Sequence, residues 1–107
     1  MSSGILGKAD LVAVTDTQVY VVPAGILSVV NINVCNRSSS SVLVRLALVS
    51  GFTDTIDSSD YVEYDVTVPA NGVLERTGLV LHAAVSVVAR ASGSSVSVSV
   101  WGYEETA

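Results

Sequence analysis

Ser95-Val96-Ser97-Val98-Ser99-Val100 alternates strictly between a small polar and a β-branched apolar residue. A side-chain period of two puts Val96, Val98 and Val100 on one face and the serines on the other, the pattern of a half-buried β-strand. The same chemistry runs through the chain. Twenty-two of its 107 residues are Val and sixteen are Ser, and the stiff χ1 of valine suits a pleated sheet better than a helix. No stretch of eleven or more residues carries a helical apolar stripe. Half of the residues are hydrophobic while 14% are charged, against about 25% in an ordinary soluble domain. Disorder needs the opposite balance. No apolar run approaches the roughly 18 to 20 residues of a transmembrane helix. The first residues, Met1-Ser2-Ser3-Gly4-Ile5-Leu6-Gly7-Lys8, lack the basic start and apolar centre of a signal peptide.

Turn residues break the chain at short intervals, and eight strands are expected at about 10–14, 17–22, 26–35, 42–50, 60–68, 73–81, 85–91 and 95–102. Short strands so spaced predict an all-β fold, an antiparallel two-sheet β-sandwich of jelly-roll-like kind. Residues 36–41 and Ser92-Gly93-Ser94 look like local hairpin turns, with Gly93 free to take positive φ. Pro23 ends a strand, and Pro69-Ala70-Asn71-Gly72 makes a turn. The domain is expected over 10–103. Residues 1–9 read as an N-terminal arm, free or docked on another subunit, and 104–107 as a short acidic tail.

Two predicted strands are apolar on both faces. Residues 42–49 are interrupted only by Arg45, and Leu27 and Val29 lie opposite Ser28, Val30, Ile32 and Val34. A lone sandwich keeps only its inner faces dry, so something is expected to cover the outer ones. The expected interface comprises Ile5, Leu6, Leu27, Val29, Leu43, Arg45, Ala47, Val49 and Trp101. A homo-oligomer is the expected state.

Chemistry-bearing groups are sparse. The net charge is −5, and Lys8, Arg37, Arg45, Arg76 and Arg90 are scattered, so no basic face for nucleic acid is expected. His82 has no Gly-x-Ser-x-Gly nucleophile context, Cys35 reads as a small half-buried residue, and no cofactor or catalytic residue is expected. Glu63 and Asp65 share a face by period two, whereas Tyr61 and Tyr64, three apart, point oppositely. Asp54, Asp57 and Asp60 recur at every third position and offer oxygen ligands for calcium, but the same residues serve as local backbone caps. Trp101 shares the serine face of its strand, as an outward platform or an interface residue.

Several motifs occur in a recognisable order: Tyr20-Val21-Val22-Pro23-Ala24-Gly25, a Val-rich strand ending in Val34-Cys35-Asn36-Arg37-Ser38, then Asp60-Tyr61-Val62-Glu63-Tyr64-Asp65, the stretch from Ala70-Asn71-Gly72 to Leu79, and a close in Trp101-Gly102-Tyr103-Glu104. This order resembles the short virion structural proteins of tailed bacteriophages, over about 17–105. The chain departs from them at Leu81-His82-Ala83-Ala84-Val85, where related chains often carry a Gly-Asp turn. The resemblance implies a non-catalytic particle component on the outer surface of the capsid. In that role it would be a decoration (cement) protein, often trimeric, whose partners are the major capsid protein lattice and further copies of itself. A tail- or fibre-borne glycan-binding sandwich is the alternative.

Overall fold

Valine-rich alternation becomes eight strands in the computed structural model, which describes residues 2–53 and 55–107. They are β1 (Ser3–Leu11), β2 (Thr17–Val21), β3 (Ile26–Asn36), β4 (Val42–Ser50), β5 (Tyr61–Val68), β6 (Val73–Leu81), β7 (Val85–Ala91) and β8 (Val96–Thr106), with a 3-10 turn at Ser58–Asp60. Two antiparallel four-stranded sheets form, in the orders β1-β8-β3-β6 and β2-β7-β4-β5. The chain passes from one sheet to the other at every connection except β4–β5, which is the jelly-roll path. The dry layer between the sheets holds Val30, Ile32 and Val34 of β3, Val44 and Leu46 of β4, Val87 and Ala89 of β7, and the Val96, Val98 and Val100 stripe of β8.

Three expectations about the chain path are corrected. Residues 3–9 are not an arm. They belong to β1, which pairs along β8 from Ser3↔Tyr103 to Leu11↔Val96. A register shift between Ile5 and Gly7 makes Leu6 the extra residue of a bulge, and its side chain packs against the core beside Ala9. Nor is 104–107 a tail: β8 continues to Thr106, and Ile26↔Thr106, Leu27↔Glu105 and Ser28↔Glu104 are partners on β3. The presumed hairpins at 36–41 and 92–94 are arches between sheets, because turn chemistry fixes a local reversal but not the sheet to which the chain returns. In the second arch the left-handed residue is Ser95, φ +63°, rather than Gly93. Asn71 does adopt the left-handed conformation, φ +58°. So does Ala84, φ +70°, in the connection after β6.

Buried Asn36 organises the arches at one end of the sandwich. Its Nδ2 lies 2.8 to 3.2 Å from the carbonyls of Ser40, Val68 and Pro69, while its Oδ1 accepts from the Ser38 N–H and hydroxyl. One amide thus satisfies backbone groups of two connections that the sheet ladders leave unpaired. At the opposite end, the Tyr20 hydroxyl donates to Glu104 Oε2 at 2.6 Å and lies 2.7 Å from Ser28 Oγ; the Ser2 N–H donates to Glu104 Oε1. Burial, helped by the bond to Glu104, pushes the Tyr20 phenol up to about 12, so it stays a donor at any ordinary pH. This cluster ties the residue that leads into β1 to the C-terminal end of strand β8.

Candidate functional site

The two outer faces of the sandwich differ in what covers them. On the sheet β2-β7-β4-β5, Ala47, Val49 and Val88 form a second buried cluster beneath Phe52, Ile56 and Tyr61. The connection between β4 and β5 therefore folds back over its own sheet. Ala47 and Val49, expected at an interface between molecules, are 1% and 4% exposed and are covered by the same chain. Leu6 is likewise withdrawn into the main core. Leu43 remains 42% exposed.

Among the described residues, none forms such a cover over the outer face of β1-β8-β3-β6. Cross-strand partners in an antiparallel sheet share a face, and the registers Ile5↔Trp101, Asn31↔Trp101, Val29↔Tyr103 and Val29↔Val80 place these side chains together. They point away from the core because their neighbours Val30 and Val100 are fully buried. Leu27 continues the patch along β3. Ile5 is 67%, Val80 65% and Tyr103 48% exposed; Leu27, Val29 and Trp101 are half-buried. All four strands contribute, and the patch occupies one half of the face. The other half carries Lys8, Asp10, Ser97, Ser99 and Asn33. Tyr103 and Val80 were not anticipated. Tyr103 reads as the end of a domain when β8 is taken to stop at Gly102, and Val80 lies within the apolar run Leu79-Val80-Leu81, which does not by itself say which face is outward.

A bulge in β5 shapes the covered sheet. Val44↔Val66 and Leu46↔Glu63 are partners, so Tyr64 and Asp65 together oppose Arg45, and Asp65 takes φ +53°. The bulge breaks period two. Glu63 sits on the inner rim facing Arg76 at 3.9 Å, whereas Asp65 turns outward to Arg45; the two acids do not share a face. Tyr61 and Tyr64, in contrast, are brought together, with centroids 4.9 Å apart and planes at 83°. Arg45 donates through Nε and Nη2 to the two Asp65 oxygens at 2.7 and 3.3 Å, and its guanidinium lies 4.3 Å from the Tyr64 ring centre. These hydrogen bonds hold the Asp65 carboxyl below its ordinary value and Arg45 more firmly protonated.

Because the folded Asp65 titrates lower than the unfolded one, its contribution is present above the unfolded carboxylate range and lost as pH falls through the folded value. Asp65→Asn is therefore expected to lower the melting temperature near neutral pH, with the gap to the parent closing below about pH 4. A gap independent of pH in a melting series would contradict this.

The other sequence candidates are dispersed. His82 is exposed after β6, with Nδ1 2.9 Å from the Ala83 carbonyl. Cys35 lies half-buried on β3. Of the calcium candidates, Asp54 lies outside the described residues; Asp57 and Asp60 cap the Ser58–Asp60 turn, the Asp57 N–H donating to Asp60 Oδ2 at 2.9 Å. Among the described residues no group of three His, Cys, Asp or Glu side chains is placed to hold a metal ion. In front of Tyr64 opens a cleft of about 580 Å³ lined by Ile56, Ser58, Tyr61 and Tyr64. No protein-family model matches the chain, and no curated protein or solved structure matches it either.

Proposed function

We propose that this chain is a virion structural protein of a tailed bacteriophage, a capsid decoration protein that docks on the assembled head through the outer face of β1-β8-β3-β6. The observation that carries the reading is the patch of Ile5, Leu27, Val29, Val80, Trp101 and Tyr103, apolar and drawn from all four strands, while on the opposite outer face the chain's own β4–β5 connection covers Ala47, Val49 and Val88. Burying one large apolar side chain is worth about 1.5–3 kcal/mol, and aromatic residues are favoured at the centres of interfaces. The order of the Tyr20–Gly25, Val34–Ser38 and Trp101–Glu104 motifs supports the assignment to phage particles. A protein that binds the assembled lattice, and not its free subunits, stabilises the lattice by its binding free energy. Trimers at the junctions between capsomers would tie neighbouring units together.

Quantitative mass spectrometry of purified virions tests the role directly. Hundreds of copies per particle are expected, together with heads that rupture more readily on heating or at low salt when the protein is missing; a few copies would place it elsewhere. The surface is tested by the Ile5→Asp, Val80→Asp double variant. Both residues are about two-thirds exposed, so the fold is retained. Binding to stripped heads is expected to weaken by more than about tenfold. Binding at parental strength would remove the patch from the reading.

A further inference from the structure

The cleft in front of Tyr64 lies on the outer face opposite the docking patch, and its construction is that of a small-ligand site. Tyr64 is 57% exposed, yet its ring is fixed on two sides. The Arg45 guanidinium stacks on it at 4.3 Å, and Tyr61 meets it at 83°. Arg45 is in turn immobilised by its paired hydrogen bonds to Asp65. An aromatic ring held before a ligand arrives spends little conformational entropy on binding. The volume of about 580 Å³ falls within the roughly 300–1,000 Å³ usual for such sites.

The lining selects the ligand. Tyr61 and Tyr64 offer flat apolar surface with phenol groups at the edge, and Ser58 adds a hydroxyl that both donates and accepts. The guanidinium in the neighbourhood is neutralised by Asp65, while Asp57 and Asp60 flank Ser58 in the chain. Among the described residues the cleft is thus aromatic, edged by hydroxyl groups that donate and accept, and without an uncompensated cation. That arrangement disfavours phosphate, sulfate or carboxylate ligands. It complements a neutral pyranose, which presents an apolar C–H face to a ring and equatorial hydroxyls to acceptors. We propose that the Tyr61–Tyr64 cleft binds neutral pyranose sugars, with Tyr64 as the stacking platform and Ser58 as a hydroxyl partner. The inference stands on the cleft alone and holds wherever the protein resides. On a particle docked by the opposite face, the cleft would be presented outward.

A glycan array carrying neutral, sialylated and sulfated saccharides tests it, followed by amide NMR titration of the isotope-labelled protein with the methyl pyranoside of the best hit. Neutral hits are expected, with shifts confined to residues around 56–64. Binding should fall about tenfold or more in Tyr64→Ala, be retained in Tyr64→Phe, and be unchanged in the Ile5→Asp, Val80→Asp variant. Tyr64 lies outside the core, so the melting temperature of Tyr64→Ala reports whether its fold is intact. An array without neutral hits, hits confined to anionic glycans, shifts outside the cleft, or parental binding by a folded Tyr64→Ala protein would overturn the proposal. Loss of head binding in the patch variant with sugar binding intact would separate the two surfaces.

Discussion

A protein lacking residues 2–9 is expected to lose about 5 kcal/mol of stability, a fall in melting temperature on the order of 20 °C. The deletion removes Leu6 and Ala9 from the core margin and strips the β1 ladder from β8, from Ser3↔Tyr103 to Ala9↔Val98. It also removes the Ser2 N–H that donates to Glu104. Burial of a leucine and a set of edge hydrogen bonds at about 0.5–1.5 kcal/mol each accumulate to that figure. It is a large part of the 5–15 kcal/mol typical of a folded domain. Val98 and Val100 would then sit on an unprotected edge strand, a template for aggregation. A disposable arm would melt with the parent. Equal melting curves would therefore remove β1 from the cooperative fold.

Why β1 is invisible in the sequence is a matter of parity. Its core-facing residues are Leu6, Ala9 and Leu11. The bulge at Leu6 spaces them by three and then two, so no alternation survives, and Gly4, Gly7, Lys8 and Asp10 dilute what apolar signal remains. In β3 and β8, the central pair of their sheet, nothing interrupts period two. Their inward valines are legible at sight, and their expected starts agree with the structure to within a residue. The end of β8 is obscured for a different reason. Glu104 faces inward, which no hydropathy pattern suggests, and its partner Tyr20 is 84 residues away. The cleft was illegible on the same ground as β1. Period two sends Tyr61 and Tyr64 to opposite faces, and a second irregularity reunites them: Tyr61↔Ala47 and Glu63↔Leu46 are partners, so Val62 is an extra residue that turns to the core. The excess of apolar residues on second faces was legible, but its remedy was not. Phe52 and Ile56 are visible as apolar loop residues, yet nothing local says that they cover Ala47 and Val49.

Gly102→Ala is the substitution expected to do most damage for its size. Gly102 faces Gly4 of β1 on one side and Val30 of β3 on the other. Both glycines have left-handed φ, +153° for Gly102 and +104° for Gly4. Their surroundings differ. A Cβ on Gly4 meets no atom within 4 Å, whereas one on Gly102 would overlap the Val29 carbonyl and crowd the Val30 Cα. Backbone, unlike the end of a flexible side chain, has no rotamer to yield, so β8 must separate from β3. Gly4→Ala carries conformational strain alone, about 1 kcal/mol. Gly102→Ala adds the overlap, for a total of about 3–4 kcal/mol. Trp101 and Tyr103 flank Gly102 and belong to the patch proposed to dock on heads, so the shift of β8 also spoils the register of the surface. Gly102→Ala should therefore bind heads poorly even below its melting temperature, while Gly4→Ala binds normally. Paired denaturant titrations and head-binding assays separate the two effects. Equal destabilisation of the two variants would show that φ, and not the approach of β3 to β8, sets the requirement for glycine.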